Sequence, residues 1–397
     1  MLVFAVVVLQ PSIAADGSQA GPLDSGAFAA ASAEIARRAG DLVAENRIPG
    51  LALTIVQGRD VLLAEGFGVV EAGRAEPVTG RTVFRLASLS KGFAGALAAL
   101  LVREGALHWD SRVIDQLPTF QLANREAAAH LTVRDLLSHQ VGIHPYNFLD
   151  RALEADEPYP LLAARLGEAP MRCDPGGCYA YQNIAFSLIG DISFAVTGEF
   201  YTLSVEKRVL HPLGMRDATY GLEALRASPS WARPHVRGQR GWIAVLPKAN
   251  YYRVPPAAGL NASAEDLGRW LVALLGHRSD VFPQELLDEL FAPIAATPDQ
   301  LGRSNWRRAR LRDAHYGLGW RVFDYAGARM IYHAGAVQGY RAIIALLPDL
   351  DVGMAVLWHS VHPAPSILMP AVIDRALGLD DIDWFESGRA AVSARRR

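Results

Sequence analysis

Cysteine is nearly absent: the chain of 397 residues has two. That is too few for a disulfide framework, and their spacing fits no common zinc site. Excess charge is also lacking. The net charge is −2 and the pI near 6.6, which gives no reason to expect nucleic acid or an acidic membrane surface as partner. The one basic cluster is the tail Arg395-Arg396-Arg397. No apolar run approaches the ~20 residues needed to cross a bilayer, so no integral membrane span is expected. The eleven histidines include no His-Glu-x-x-His pattern, which disfavours a zinc protease. Gly-x-Ser-x-Gly is absent too, which disfavours an α/β-hydrolase elbow. There is no internal repeat.

What is present is globular composition, half apolar and a fifth charged, in a chain too long for one comfortable core. Leu2 to Leu9 form an apolar run followed by Ser12-Ile13-Ala14-Ala15. This reads as the end of a secretory signal peptide over residues 1–15 and predicts a periplasmic or secreted protein. No Lys or Arg precedes the run, so a merely apolar N-terminus is the alternative. Residues 16–28, rich in Gly, Ala and Ser, are expected to form a flexible leader. Cys173 and Cys178 flank Asp-Pro-Gly-Gly, strong turn chemistry that brings their ends together. In an oxidising compartment they can form a local disulfide; two free thiols beside a turn are the plainer alternative.

The pattern predicts a helix over Phe28–Asn46 and strands over Leu51–Gln57, Val61–Val70 and Thr82–Leu86, with a hairpin turn at Gly58-Arg59-Asp60. Gly92–Val102 is apolar on every side, as a buried helix is. Helical segments broken by Pro and Gly continue to about residue 290, among them Val133–Ser138, Asn183–Phe194 and Ala264–Leu275 behind the cap Ser263. Strands return at Tyr316–Asp324, Arg329–His333, Tyr340–Leu347 and Val352–Trp358, and a helix over about Ser366–Leu377 closes the domain. The expected fold class is α/β (α+β): an antiparallel sheet flanked by helices, with a large helical insertion. Residues 29–87 with 290–378 would build the sheet domain, residues 88–289 the helical domain, and 379–397 a C-terminal tail.

Three segments carry candidate chemistry. In Ser88-Leu89-Ser90-Lys91, Ser88 and Lys91 lie nearly one helical turn apart and share a face, while Ser90 points elsewhere. The unpaired N–H groups of a helix N-terminus would favour an oxyanion. Burial would make Lys91 easier to deprotonate, so that it can take a proton from Ser88. Alone this pattern is weak, since a helix cap followed by a solvated lysine looks the same. Tyr181-Gln182-Asn183 opens another apolar helix. A phenol beside a cationic lysine ionises more easily and can act as a base, and the Asn183 amide can orient a carbonyl or the lysine. Core packing and a helix cap are the plain alternatives. His333-Ala334-Gly335-Ala336 ends a late strand, where Gly335 would let another backbone approach closely.

Together the three motifs resemble the penicillin-recognising serine hydrolases, in the branch holding class C β-lactamases, D-Ala-D-Ala carboxypeptidases, D-aminopeptidases and β-lactamase-like esterases. Ser88 to Lys91 matches S-x-x-K, Tyr181 to Asn183 matches Y-x-N, and His333 to Gly335 sits where that group has K-T-G or H-x-G. Phe84-Arg85-Leu86-Ala87, Leu131-Thr132-Val133-Arg134, His211-Pro212-Leu213-Gly214-Met215 and Tyr316-Gly317-Leu318-Gly319-Trp320 agree as well. The resemblance spans about residues 30–378. It implies an acyl-enzyme on Ser88, Lys91 and Tyr181 sharing proton transfer, and Asn183 holding Lys91 and the substrate amide. It implies an oxyanion hole from the N–H groups of Ser88 and Ala336, and His333 and Gly335 on the substrate-binding strand. No cofactor and no metal are implied, and the partner would be a small-molecule or peptide substrate. Two departures bear on the substrate. His333 and Ala334 replace a lysine and a threonine that help hold a carboxylate, with Arg341 on the next strand a candidate substitute or a plain surface arginine. His139-Gln140-Val141-Gly142-Ile143 stands for His-Thr-Ser-Gly-Leu. The expected activity is amide or ester cleavage of the carboxypeptidase or esterase kind. A true class C-type β-lactamase and a non-catalytic binding member are the alternatives.

Overall fold

A short glycine turn starts the architecture. Gly58 takes φ +59° between strands β1 (Gly50–Gln57) and β2 (Asp60–Gly68), which pair antiparallel. In β1, Leu51, Leu53 and Ile55 point into one apolar cluster and Ala52 and Val56 into another. A strand apolar on both faces belongs inside a sheet, covered on both sides. The computed structural model describes residues 24–145, 148–379 and 381–387. The expected signal peptide, most of the leader and the Arg395–Arg397 cluster lie outside them.

The further strands are β3 (Phe84–Arg85), β4 (Thr219–Tyr220), β5 (His235–Arg237), β6 (Trp242–Ala244), β7 (Leu260–Ala262), β8 (Ala295–Ala296), β9 (Leu311–Tyr316), β10 (Arg321–Tyr325), β11 (Ala328–Val337), β12 (Tyr340–Leu347) and β13 (Val352–Trp358). The large sheet has the order β2-β1-β13-β12-β11-β10-β9-β8, with every pairing antiparallel. Its strands thus come from the two ends of the chain, and between them run the helices. Helix α1 (Ser25–Ala44) and the helix Leu368–Ala376 cover one face, placing Phe28, Ile35 and Val372 with Leu53, Ile343 and Met354. The other face meets Leu267 and Leu271 of the helix Ala264–Val272 and the central helix α2 (Ser90–Arg103). Ser263 caps as expected: its hydroxyl accepts from the Asp266 N–H while the Asp266 carboxylate accepts from the Ser263 N–H. Twelve of the fourteen residues of α2 are buried, as its apolar sequence requires.

Several expectations change. Ser25 to Phe28 form the first turn of α1 behind the cap Asp24, so the part of the leader that is described is helical. Trp384, in the expected tail, is buried and donates to Asp374 Oδ2. The strand expected at Thr82–Leu86 shrinks to Phe84–Arg85. The single strand expected at Tyr316–Asp324 is two, β9 and β10, joined by the turn Gly317–Trp320. Gly319 breaks it: φ is +85°, and a Cβ there would stand 2.3 Å from the Lys91 carbonyl oxygen. Only glycine lets this turn lie against α2.

Candidate active site

The approach to α2 is strained. Ala87 has φ +49°, a left-handed conformation costly for a residue with a Cβ. The chain then makes a 3-10 turn over Ala87–Leu89 and enters α2. Ser90, fully buried, ties this turn down: its hydroxyl donates to the Ala87 carbonyl (2.7 Å) and accepts from the Leu260 N–H (3.1 Å). Ser88 is left half-buried, its side chain in the cleft.

One turn on, Lys91 is wholly buried. Its Nζ lies 2.8 Å from Asn183 Oδ1, 3.0 Å from the Ala257 carbonyl and 3.4 Å from Ser88 Oγ. Burial drives its pKa well below the usual 10.5; Asp150 opposes this and Arg321 adds to it. The Tyr181 ring lies 4.6 Å from Nζ. Here the expectation of an easily ionised phenol is reversed. Burial raises the Tyr181 pKa above 10, and the hydrogen bond with Ser88 only partly offsets it, so Tyr181 is a neutral phenol at neutral pH. His139, itself at φ +59°, props this segment. Its Nδ1 accepts from the Gln182 N–H, and its ring packs 4.3 Å from Tyr181 and 4.8 Å from Tyr316. Cys173 and Cys178 are disulfide-bonded just upstream.

Strand β11 forms the opposite wall. A Cβ on Gly335 would fall 2.2 Å from the Leu86 carbonyl and 3.2 Å from the Ser88 nitrogen. The close backbone approach expected of this glycine is therefore onto the Ser88 turn itself. Ala336 is exposed on the cleft. His333 is engaged at both nitrogens. Nδ1–H donates to the Ala334 carbonyl, which leaves Nε2 to accept from the Tyr316 hydroxyl, each at 3.0 Å. Burial, then Arg321 and Lys91, push its pKa well below 6.5, so the position carries no charge. Arg341 is also committed: its Nη1 donates to the Val337 and Tyr340 carbonyls.

Two residues of this cleft went unrecognised in the sequence. Asp150, in the helix Leu149–Glu154, accepts from Asn183 Nδ2 at 3.1 Å. Arg321, opposite Tyr332 in the β10–β11 pairing, lies 5.4 Å from the Tyr316 ring and 5.9 Å from that of Tyr181. Its Nη1 is buried without a hydrogen-bond partner. The one available signal was an arginine inside the apolar strand Trp320-Arg321-Val322-Phe323. The cleft measures about 1240 Å³ and takes in Ser88, Asp150, Tyr181, Asn183, Arg321 and Ala336. Among the described residues no cluster suits a metal ion, and no single helix is long and apolar enough to cross a membrane.

A strained turn presenting a serine, a buried lysine one turn on, a tyrosine over it and a glycine-bearing strand opposite define a β-lactamase-type hydrolase fold. The chain belongs to the Beta-lactamase family, whose sequence profile matches residues 35–377. It is 24% identical to an unguisins hydrolase of Aspergillus violaceofuscus over 86% of its own length, and spans 64% of that protein. With penicillin-binding protein 4 of Amycolatopsis lactamdurans it shares 27% identity, covering 79% of this chain and 81% of the other. In fold it resembles the octameric penicillin-binding protein homologue from Pyrococcus abyssi, with a TM-score of 0.75 and 23% identity over 90% of this chain and 78% of that one.

Proposed function

We propose that the protein is a serine hydrolase that cleaves an amide or ester through an acyl-enzyme on Ser88. The surroundings of Lys91 Nζ carry this reading. A neutral amine has two N–H bonds and one lone pair. Asn183 Oδ1 and the Ala257 carbonyl accept the two N–H bonds, and the third neighbour is Ser88 Oγ. The lone pair is then free for the serine proton, and burial favours the neutral amine that has it. In acylation Ser88 Oγ bonds to the substrate carbonyl carbon as its proton passes to Lys91. The N–H groups of Ser88 and Ala336 hold the oxyanion, each worth about 10²–10³ in rate. Tyr181, a phenol with its proton in place, gives that proton to the leaving group and regains one from the Lys91 ammonium. Water then releases the acyl group by the same route reversed. The disulfide supports an oxidising compartment, in line with export to the periplasm or beyond.

Arg321 favours substrates with a free carboxylate, since its buried Nη1 has no partner within the protein. A peptide ending in a carboxylate fits better than a neutral ester. A panel of D-alanine-terminated peptides, a chromogenic cephalosporin and a short-chain aryl ester tests this. Arg321→Ala is expected to raise KM for the carboxylate substrates about tenfold to a hundredfold, the worth of a charged hydrogen bond, and to leave KM for the neutral ester unchanged, any change in Lys91 basicity appearing in kcat for both. An equal rise in KM on all substrates would contradict it. Turnover of the ester alone by the wild type would favour the esterase reading.

A further inference from the structure

We infer that Asp150 is a positioning residue for Lys91, its carboxylate acting through the Asn183 amide as the counter-charge to the ammonium formed when Lys91 takes the Ser88 proton. This rests on the reading of Ser88 as nucleophile. The geometry is a three-member chain. Lys91 Nζ donates to Asn183 Oδ1 at 2.8 Å, and Asn183 Nδ2 donates to Asp150 Oδ1 at 3.1 Å. Both ends of the amide are thereby fixed. A flipped Asn183 would set its NH₂ against the lysine donor and its oxygen against the carboxylate. Asp150 thus decides which way Asn183 faces, and Asn183 decides where the lysine N–H bonds and lone pair point.

The charges are arranged to match. Burial raises the Asp150 pKa, and the Asn183 hydrogen bond and Lys91 oppose it; Lys91 is the one cation acting on the carboxylate, and Glu154, on the same helix, is a like charge tied to the Tyr251 hydroxyl at 3.0 Å. The phenols of Tyr181 and Tyr251 also face the carboxylate and are both held neutral by burial. Arg321 acts on Lys91 from β10 in the opposite sense to Asp150. Before reaction a neutral Lys91 needs no counter-ion. Once the Ser88 O–H bond breaks and the N–H bond forms, a buried ammonium stands within the field of Arg321, and Asp150 is the anion one hydrogen-bonded step behind it.

A merely structural Asp150 would change the amount of active protein. A counter-charge changes the lysine's basicity. The test is the pH dependence of Ser88 phosphonylation by a fluorophosphonate probe, in which Oγ bonds to phosphorus as fluoride leaves, followed by intact mass on the full chain, for wild type, Asp150→Asn and Asp150→Glu. Removing the negative charge makes Lys91 a weaker base. The rising limb of the Asp150→Asn profile is therefore expected to move to lower pH by about one unit, with a plateau about tenfold lower. Asp150→Glu restores the charge and should return the limb towards wild type. If Asp150→Asn does not fold, Asp150→Ser removes the same charge and is read in the same way. A limb that stays in place, or vanishes, overturns the inference while leaving Ser88 as nucleophile. A wild type that is never phosphonylated at Ser88 overturns both.

Discussion

At the residue scale, the proposed mechanism takes its proton acceptor and its pH range from Lys91. Its pKa is depressed, so the catalytically useful neutral form persists as pH falls from 10.5 and is lost only when pH drops through the lowered value. Turnover is therefore expected to rise along a limb well below pH 10.5. A limb at the ordinary lysine value, read from kcat/KM against pH, would contradict a buried base. Lys91→Met should lower kcat about 10²–10⁴-fold, the usual worth of a positioned proton acceptor. Tyr181→Phe separates donor from acceptor. It should cost about as much on a peptide amide, whose leaving group needs a proton, and far less on an activated aryl ester. Equal losses on both substrates would assign Tyr181 another role. His333 illustrates how a motif position can change its work. With both nitrogens engaged and Arg321 nearby, a lysine placed there would bury a further cation beside that guanidinium. His333→Lys is expected to lower the melting temperature. A variant as stable as wild type would show that the position tolerates charge.

Among elements, the decisive contact is between β11 and the turn into α2. Gly335→Ala would drive a methyl into the Leu86 carbonyl, 2.2 Å away, and push the strand from Ser88. A displacement of about 1 Å at such a site costs on the order of 10²-fold in rate, so this small change should reduce kcat by about that factor. Unchanged kcat would mean that the strand does not form the oxyanion wall. This scale also explains what was legible in the sequence. Ser88 with Lys91, and Tyr181 with Asn183, lie within a turn of each other, so local spacing finds them. The apolar α2 and the paired ends of the sheet follow from periodicity. Arg321 and Asp150 enter the site only through strand pairing and a helix docked across the cleft; the charge inside an apolar strand marks Arg321 as unusual without saying what it faces, and nothing adjacent in the chain marks Asp150. The split of Tyr316–Asp324 into two strands was hidden for the same reason, because Gly319 answers to the Lys91 carbonyl and not to its neighbours in sequence. The ionisation of Tyr181 was misjudged because spacing shows the lysine and not the depth of burial.

The whole molecule places one wall of the cleft on a sheet covered on both faces and the other on helices. Ser88 lies in this cleft together with Asp150 and Arg321. The proposed mechanism depends on Ser88 carrying the acyl group. The most direct measurement is the mass of the purified protein after exposure to a fluorophosphonate, with the modified peptide sequenced and Ser88→Ala as control. One phosphonyl group on Ser88, absent from the variant, is the expected result. A label on any other residue, or equal labelling of the variant, would contradict the account.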